Sequence, residues 1–212
     1  NVAIKGGAAG ISVAFHDIQN SIVAGSQDAT LETTQAGSGS DGGGDIVILA
    51  DSRSSNWAVL AGVSYGTFGA GAGITGSSLI NNTTQARIDG GTATADGNLL
   101  VHADTHDTSS IKLGAVAVGA VAIGGSVGVD LMGSNSEAWI GGGAEVLARG
   151  NGGARDVALS WAGEASEVGG DDEDGRDRNV NWGQGDWDTE ARQGVVVLAT
   201  SRMEFLTVAV AV

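Results

Sequence analysis

Three short stretches hold most of the side chains that could do chemistry. In "GGDDEDGRD" (169–177), Asp171, Asp172 and Asp174 stand among glycines. Carboxylate oxygens on a Gly-rich backbone are the donor set of calcium loops. The strict Gly/Asp nonapeptide period and the EF-hand spacing are both missing, so the alternative is an acidic, solvated loop. In "NWGQGDWD" (181–188), Trp182, Asp186, Trp187 and Asp188 combine indole faces with carboxylates. Such a set can stack on a sugar ring and accept hydrogen bonds from its hydroxyls. The alternative is that both Trp fold back onto the body of the protein. In "HADTHD", His102, Asp104 and His106 fall on one face of a strand, a geometry that could hold zinc. The matching residues of a second repeat copy are Leu49, Asp51 and Arg53, which favours a solvated surface strand instead.

Catalysis has little support. No G-x-S-x-G elbow precedes a helix, and the 10 Lys and Arg are scattered, leaving no basic cluster for an acidic polysaccharide. No catalytic residue is assigned. No cofactor is required, and calcium is the one candidate. Asn81 and Asn82 each begin an N-x-Thr pattern and read first as turn residues. Trp57, Trp139 and Trp161 read as locally packed residues near strand ends.

The elements that must position these groups follow from composition and repetition. The 212 residues include 37 Gly, no Pro and no Cys, with 42% hydrophobic residues and a net charge of −15. Collagen needs Gly at every third position and abundant Pro, and an acidic disordered chain would hold fewer apolar residues. The absence of Cys excludes disulfides and thiolate metal sites. The charge disfavours nucleic acid and anionic membranes. The stretch "KLGAVAVGAVAIGGSVGVD" (112–130) contains 17 consecutive uncharged residues, but five are Gly, which argues against a membrane helix. Neither nucleic acid binding nor membrane insertion is expected.

A self-similarity of about 52 residues runs through the chain. At an offset of 53, Ala50 meets Ala103, Asp51 meets Asp104, Leu60 meets Leu113, Gly66 meets Gly119 and Gly71 meets Gly124. At an offset of 52, Leu79 meets Leu131 and Ile88 meets Ile140. Partial copies occupy 10–25 and 195–212. Within a copy apolar residues alternate, and the parity flips after Gly66 and Gly119, as at a corner between strands. The expected fold is an all-β parallel β-solenoid of short strands, two or three coils per unit, with a narrow interior suited to Ala and Gly. Corners are expected at Gly119 and at Gly124-Gly125. An antiparallel sandwich or barrel is the alternative.

Between Ile140 and Val197 the period is broken by an acidic insertion, with 169–193 read as a Trp-containing loop and 156–168 as an extra strand or coil. A smaller insertion occupies 35–45. Outside these the chain reads as one solenoid segment over 1–212. No initiator Met is present, and the apolar alternation runs up to Val212, as expected for a segment of a longer chain.

"GVSYGTFGAGAGITGSSLINNTTQARIDGG" and "GNLLVHADTHDTSSIKLGAVAVGAVAIGGSVGVDLMGSNSEAWIGGG" resemble the repeat region of large bacterial filamentous adhesins, the filamentous-haemagglutinin and leukotoxin-type exoproteins. The likeness lies in an alternating "AVAVG" strand, a polar Asn/Ser/Thr segment and an "A-x-I-x-G-G" strand. It implies a right-handed parallel β-helix, secreted to the bacterial cell surface, serving as a structural or adhesive rod. Its partners would be flanking coils of the same or neighbouring chains and cell-surface glycans. Two other readings stand beside it: a short subunit of a self-assembling extracellular fibre or sheath, and a polysaccharide-active β-helix enzyme.

Overall fold

A computed structural model describes residues 6–34, 44–151, 153–161, 166–167, 180–181 and 187–212. The expected insertion at 35–45 lies outside them apart from its last two residues. All regular structure among the described residues is β. The first lap consists of β1 (Gly7–Gln27), β2 (Thr30–Glu32) and β3 (Ile46–Gly66). The second is β4 (Gly69–Asp89), β5 (Thr92–Ala95) and β6 (Leu99–Gly119). The third begins with β7 (Ala122–Gly141) and β8 (Glu145–Ala148). It is interrupted by β9 (Arg155–Trp161), β10 (Ser166–Glu167), β11 (Val180–Asn181) and β12 (Trp187–Arg192), and closes with β13 (Val195–Ala211).

Each lap stacks on the last in parallel register. Two broad sheets form, β1-β4-β7 and β3-β6-β13, with a narrow third sheet, β2-β5-β8, along one side. This is a parallel β-solenoid, as the repeat predicts. The sequence offsets reappear as strand register: Ala50 pairs with Ala103 and Leu60 with Leu113, while Leu79 pairs with Leu131 and Ile88 with Ile140.

Two expectations require correction. One repeat supplies a single coil, not two or three, because its strands are 21 residues long rather than short. Gly124 and Gly125 lie inside β7, paired with Ala72 and Gly73. The sole corner within 112–130 follows Gly119. That corner is one residue shorter than its predecessor, so Gly71 meets Ile123 and not Gly124. A strand of this length spans about 70 Å, whereas three stacked coils rise only about 14 Å. The molecule is a plate.

The small residues face inward. Along β6 the inward positions include Leu113, Ala115 and Ala117, all buried, while Val116 and Val118 point out. Glycine permits the close sheet approach: a Cβ on Gly76 would sit 2.9 Å from Leu113 Cδ2, and one on Gly62 3.0 Å from Ile74 Cδ1. The opposite corner needs glycine for its backbone, since Gly91 has φ +73° and a Cβ there would meet the Ala29 carbonyl oxygen at 2.1 Å.

The interior has three zones along the strands. Beside the narrow sheet, Ile46, Ala86, Ile88, Leu99 and Val101 form one apolar cluster. Behind the Gly66 and Gly119 corners, Ala70, Ala72, Ile74, Ile111 and Leu113 form a second. Between them the interior is polar. Asn82 Nδ2 donates to Ser54 Oγ at 2.7 Å and to Asp107 Oδ1 at 2.6 Å. Ser134 Oγ also donates to Asp107. Nearby, Asn56 donates to Ser78 at 2.7 Å, and Ser109 to Asp130 at 2.7 Å. Asn81 and Asn82 are therefore mid-strand residues, not turn residues. These buried amides and hydroxyls satisfy one another across and between coils, whereas the buried Ser52 Oγ meets no hydrogen-bond partner among the described residues.

Candidate functional site

The insertion leaves the solenoid as an antiparallel stem. β9 pairs with β12, with the register shifting between Asp188 and Thr189, and β10 pairs with β11. The strand expected within 156–168 is thus a stem strand and not an extra coil. Of the candidate sugar-binding set, Trp187 and Asp188 open β12, Trp187 opposite Trp161 and Asp188 opposite Ser160. Trp182 and Asp186 lie outside the described residues, as do the candidate calcium ligands Asp171, Asp172 and Asp174.

His102, Asp104 and His106 do share the outward face of β6, with Val101 and Ala103 turned into the core. They are not a solvated surface strand, however: their exposures are 4%, 7% and 4%. β6 is the central strand, and the rows on β3 and β13 flank it on both sides. His102 Nε2 lies 3.2 Å from Thr200 Oγ1, whose hydroxyl donates to Asp104. His106 Nε2 lies 3.8 Å from Glu204 Oε1. Burial pushes both imidazoles below their ordinary range. Asp104 and Asp51 oppose the shift at His102, and chiefly Glu204 opposes it at His106. No group of three metal-ligating side chains occurs among the described residues.

The same face carries a groove that sequence reasoning missed. Strand pairing sets Ser55, Thr108 and Glu204 in one row and Trp57, Ser110 and Leu206 in the next. The central residues are small and Trp57, Glu204 and Leu206 beside them are tall, so a trough of about 440 Å³ runs over Thr108 and Ser110, with Lys112 at one end. Thr108 Oγ1 donates to Ser55 Oγ at 3.2 Å. Trp57 is thus a mid-strand wall of this groove rather than a residue packed near a strand end. Trp139 lies near the end of β7, with the Arg87 guanidinium 5.6 Å from its ring centroid.

Beyond Glu204 the register aligns Arg53, His106 and Arg202. The arginines are held by carboxylates: Arg53 reaches Asp51 at 3.0 Å and Arg202 reaches Glu204 at 2.5 Å. Two of the ten scattered Lys and Arg thus meet in one short row. Its signal was present in the repeat, since the offset of 53 already places Arg53 on His106. An indole wall, two hydroxyls, an ammonium and a carboxylate around an open trough can hold a polyhydroxylated ring: stacking on one side, hydrogen bonds at its edges.

A scan against protein-family models, a search of curated proteins and a search of solved structures each returned no match to this chain.

Proposed function

We propose that this chain is a segment of an extracellular structural and adhesive β-solenoid rod of a bacterial cell surface, with the Trp57 groove as its glycan contact. The observation that carries the reading is coil-on-coil register. Whole strands pair in parallel from lap to lap, and among the described residues the outermost laps keep open edges on β1 and β3 at one end and on β7 and β13 at the other. Phe205, at an inward register position of the last lap opposite Ser109, is 72% exposed. A further coil would cover it. Open strand edges are templates for adding strands, and stability accumulates as neighbours stack.

The same edges support a second reading, a short subunit that builds a fibre or sheath by stacking on copies of itself. The intact mass of the polypeptide in its source separates the two. A mass several-fold above 20.9 kDa, with further repeats in peptide maps, supports the rod segment; a mass near that value overturns it in favour of the stacking subunit. Glycan contact is tested on a glycan array. Trp57→Ala is expected to weaken retained binding at least ten-fold, and an unchanged array would move the contact away from the groove.

A further inference from the structure

The half of the plate behind the Gly66 and Gly119 corners differs from the rest. Residues 6–15, 60–77, 113–129 and 209–212 include no Asp, Glu, Lys, Arg or His, in a chain of net charge −15. Strand pairing brings these stretches together into one wedge. Its outer surfaces carry large apolar side chains on both sides, with Gly71, Gly73, Thr75 and Ser77 along the central strand of one of them. Val63, Val116 and Val118 project from one broad sheet, and Val13, Phe15 and Val127 from the other, each at least 38% exposed. The tip is apolar too, with Phe68 and Val121 at 74% and 65% exposure. At the far side of the plate the corners are instead Asp28-Ala29, Gly90-Gly91 and Gly142-Gly143.

Two kinds of occupant could cover such a surface. A second copy would meet one face at a time. Eight residues by three strands make a face of only about 370 Å² on one unstacked chain, below the roughly 800 Å² per partner of a stable interface, so a second copy would need stacked coils to meet it. A second copy would also leave the other face and the tip wet. Lipid covers both faces and the tip together. From the tip to Val129 the uncharged stretch of β7 measures about 26 Å, close to the ~30 Å hydrocarbon thickness of a bilayer. We infer that this wedge inserts into the hydrocarbon of a zwitterionic lipid bilayer, strands along the membrane normal and corners leading.

The corners tolerate this because their backbone is paired between coils: Ala70 N donates to Val121 O at 2.8 Å. The sequence argued against insertion from the glycines of 112–130 and the net charge, and no helix among the described residues is long and apolar enough to cross a membrane. Strands pose a separate question. Hydrocarbon tolerates no open sheet edge, so the inference rests on the coil stacking proposed above, which would pair the end coils.

The test is flotation of the purified chain with phosphatidylcholine vesicles, with stacking read in the same sample by negative-stain microscopy. Wild type is expected to float. The double variant Val118→Asp/Val127→Asp should float at least ten-fold less with an unchanged melting curve, and Thr83→Asp, on the polar half, should float like wild type. The chain has no Cys, so a fluorophore on Val121→Cys reads the tip directly. Its emission should shift to the blue with vesicles, while the same label on Asp96→Cys should not shift. Rods without flotation overturn the lipid inference and leave the stacking reading intact. Flotation that survives the aspartates overturns it as well. So does self-association that needs Val118 and Val127 in a sample that ignores vesicles, because a second copy would then be the occupant. Flotation without rods overturns it too, because unpaired end coils do not enter hydrocarbon, and it counts against stacking.

Discussion

Replacing Asn82 by Ala tests whether the polar middle zone holds the two broad sheets together. Asn82 is fully buried, as is Asp107 beneath it. The amide donates to Ser54 at 2.7 Å and Asp107 at 2.6 Å, and accepts the Asn20 backbone N–H at 3.0 Å. Truncation removes one bond to a carboxylate, worth about 1.5–3 kcal/mol, and leaves buried partners unmet at about 1–3 kcal/mol each. Asp107 retains Ser134 and Ser54 retains Asn20, which limits the loss. The expected destabilisation is about 3–5 kcal/mol, read by urea unfolding with the m-value unchanged. Asp107→Ala alone should also destabilise. The double variant should cost less than the sum of the two, with a coupling of about 2 kcal/mol. A single-variant loss below about 1 kcal/mol, or strict additivity, would refute the idea that this network clamps the plate.

Other outcomes follow from burial and geometry. His102 and His106 are held below 6.5 by burial, so as pH falls through 6.5 the unfolded chain takes up protons that the folded rings refuse. Stability should therefore drop from pH 7.5 towards the depressed folded values and level off below them, and His102→Gln/His106→Gln should flatten that slope in denaturant titrations. Gly76→Val places a Cβ 2.9 Å from Leu113 and should cost about 1–3 kcal/mol by overpacking; adding Leu113→Ala should recover part of the loss in thermal melts. Ile88→Ala, in the cluster beside the narrow sheet, should cost about 2–5 kcal/mol by the same measurement.

What could be read beforehand was the lateral order of the plate. Residues stacked in a column face the same neighbours, so a sequence that repeats them announces its own register; Ala50 over Ala103 is visible in either representation. The number of coils was misread because Gly124-Gly125 looks like a corner in one dimension. Only pairing with Ala72 and Gly73 shows it running straight. The polar interior was illegible for a different reason. A stretch such as "LINNTTQ" (79–85) carries the composition of a turn. Its burial depends on Ser54 and Asp107, 28 and 25 residues away from Asn82, supplying hydrogen bonds. The groove was hidden for the same cause. Trp57 and Glu204 are flanks of one trough only because β3 and β13 both pair with β6.

A lap that spends 52 or 53 residues on a single strand spacing has a mechanical consequence. Stacked further, such laps make a plank about 70 Å wide and about 10 Å thick, growing by only about 4.8 Å per repeat. For a uniform plank, resistance to bending scales with the square of the dimension in the bending plane. It would thus be about fifty-fold stiffer edgewise than face-on. Such an object holds its line against force along the strands while flexing out of plane to follow a curved surface.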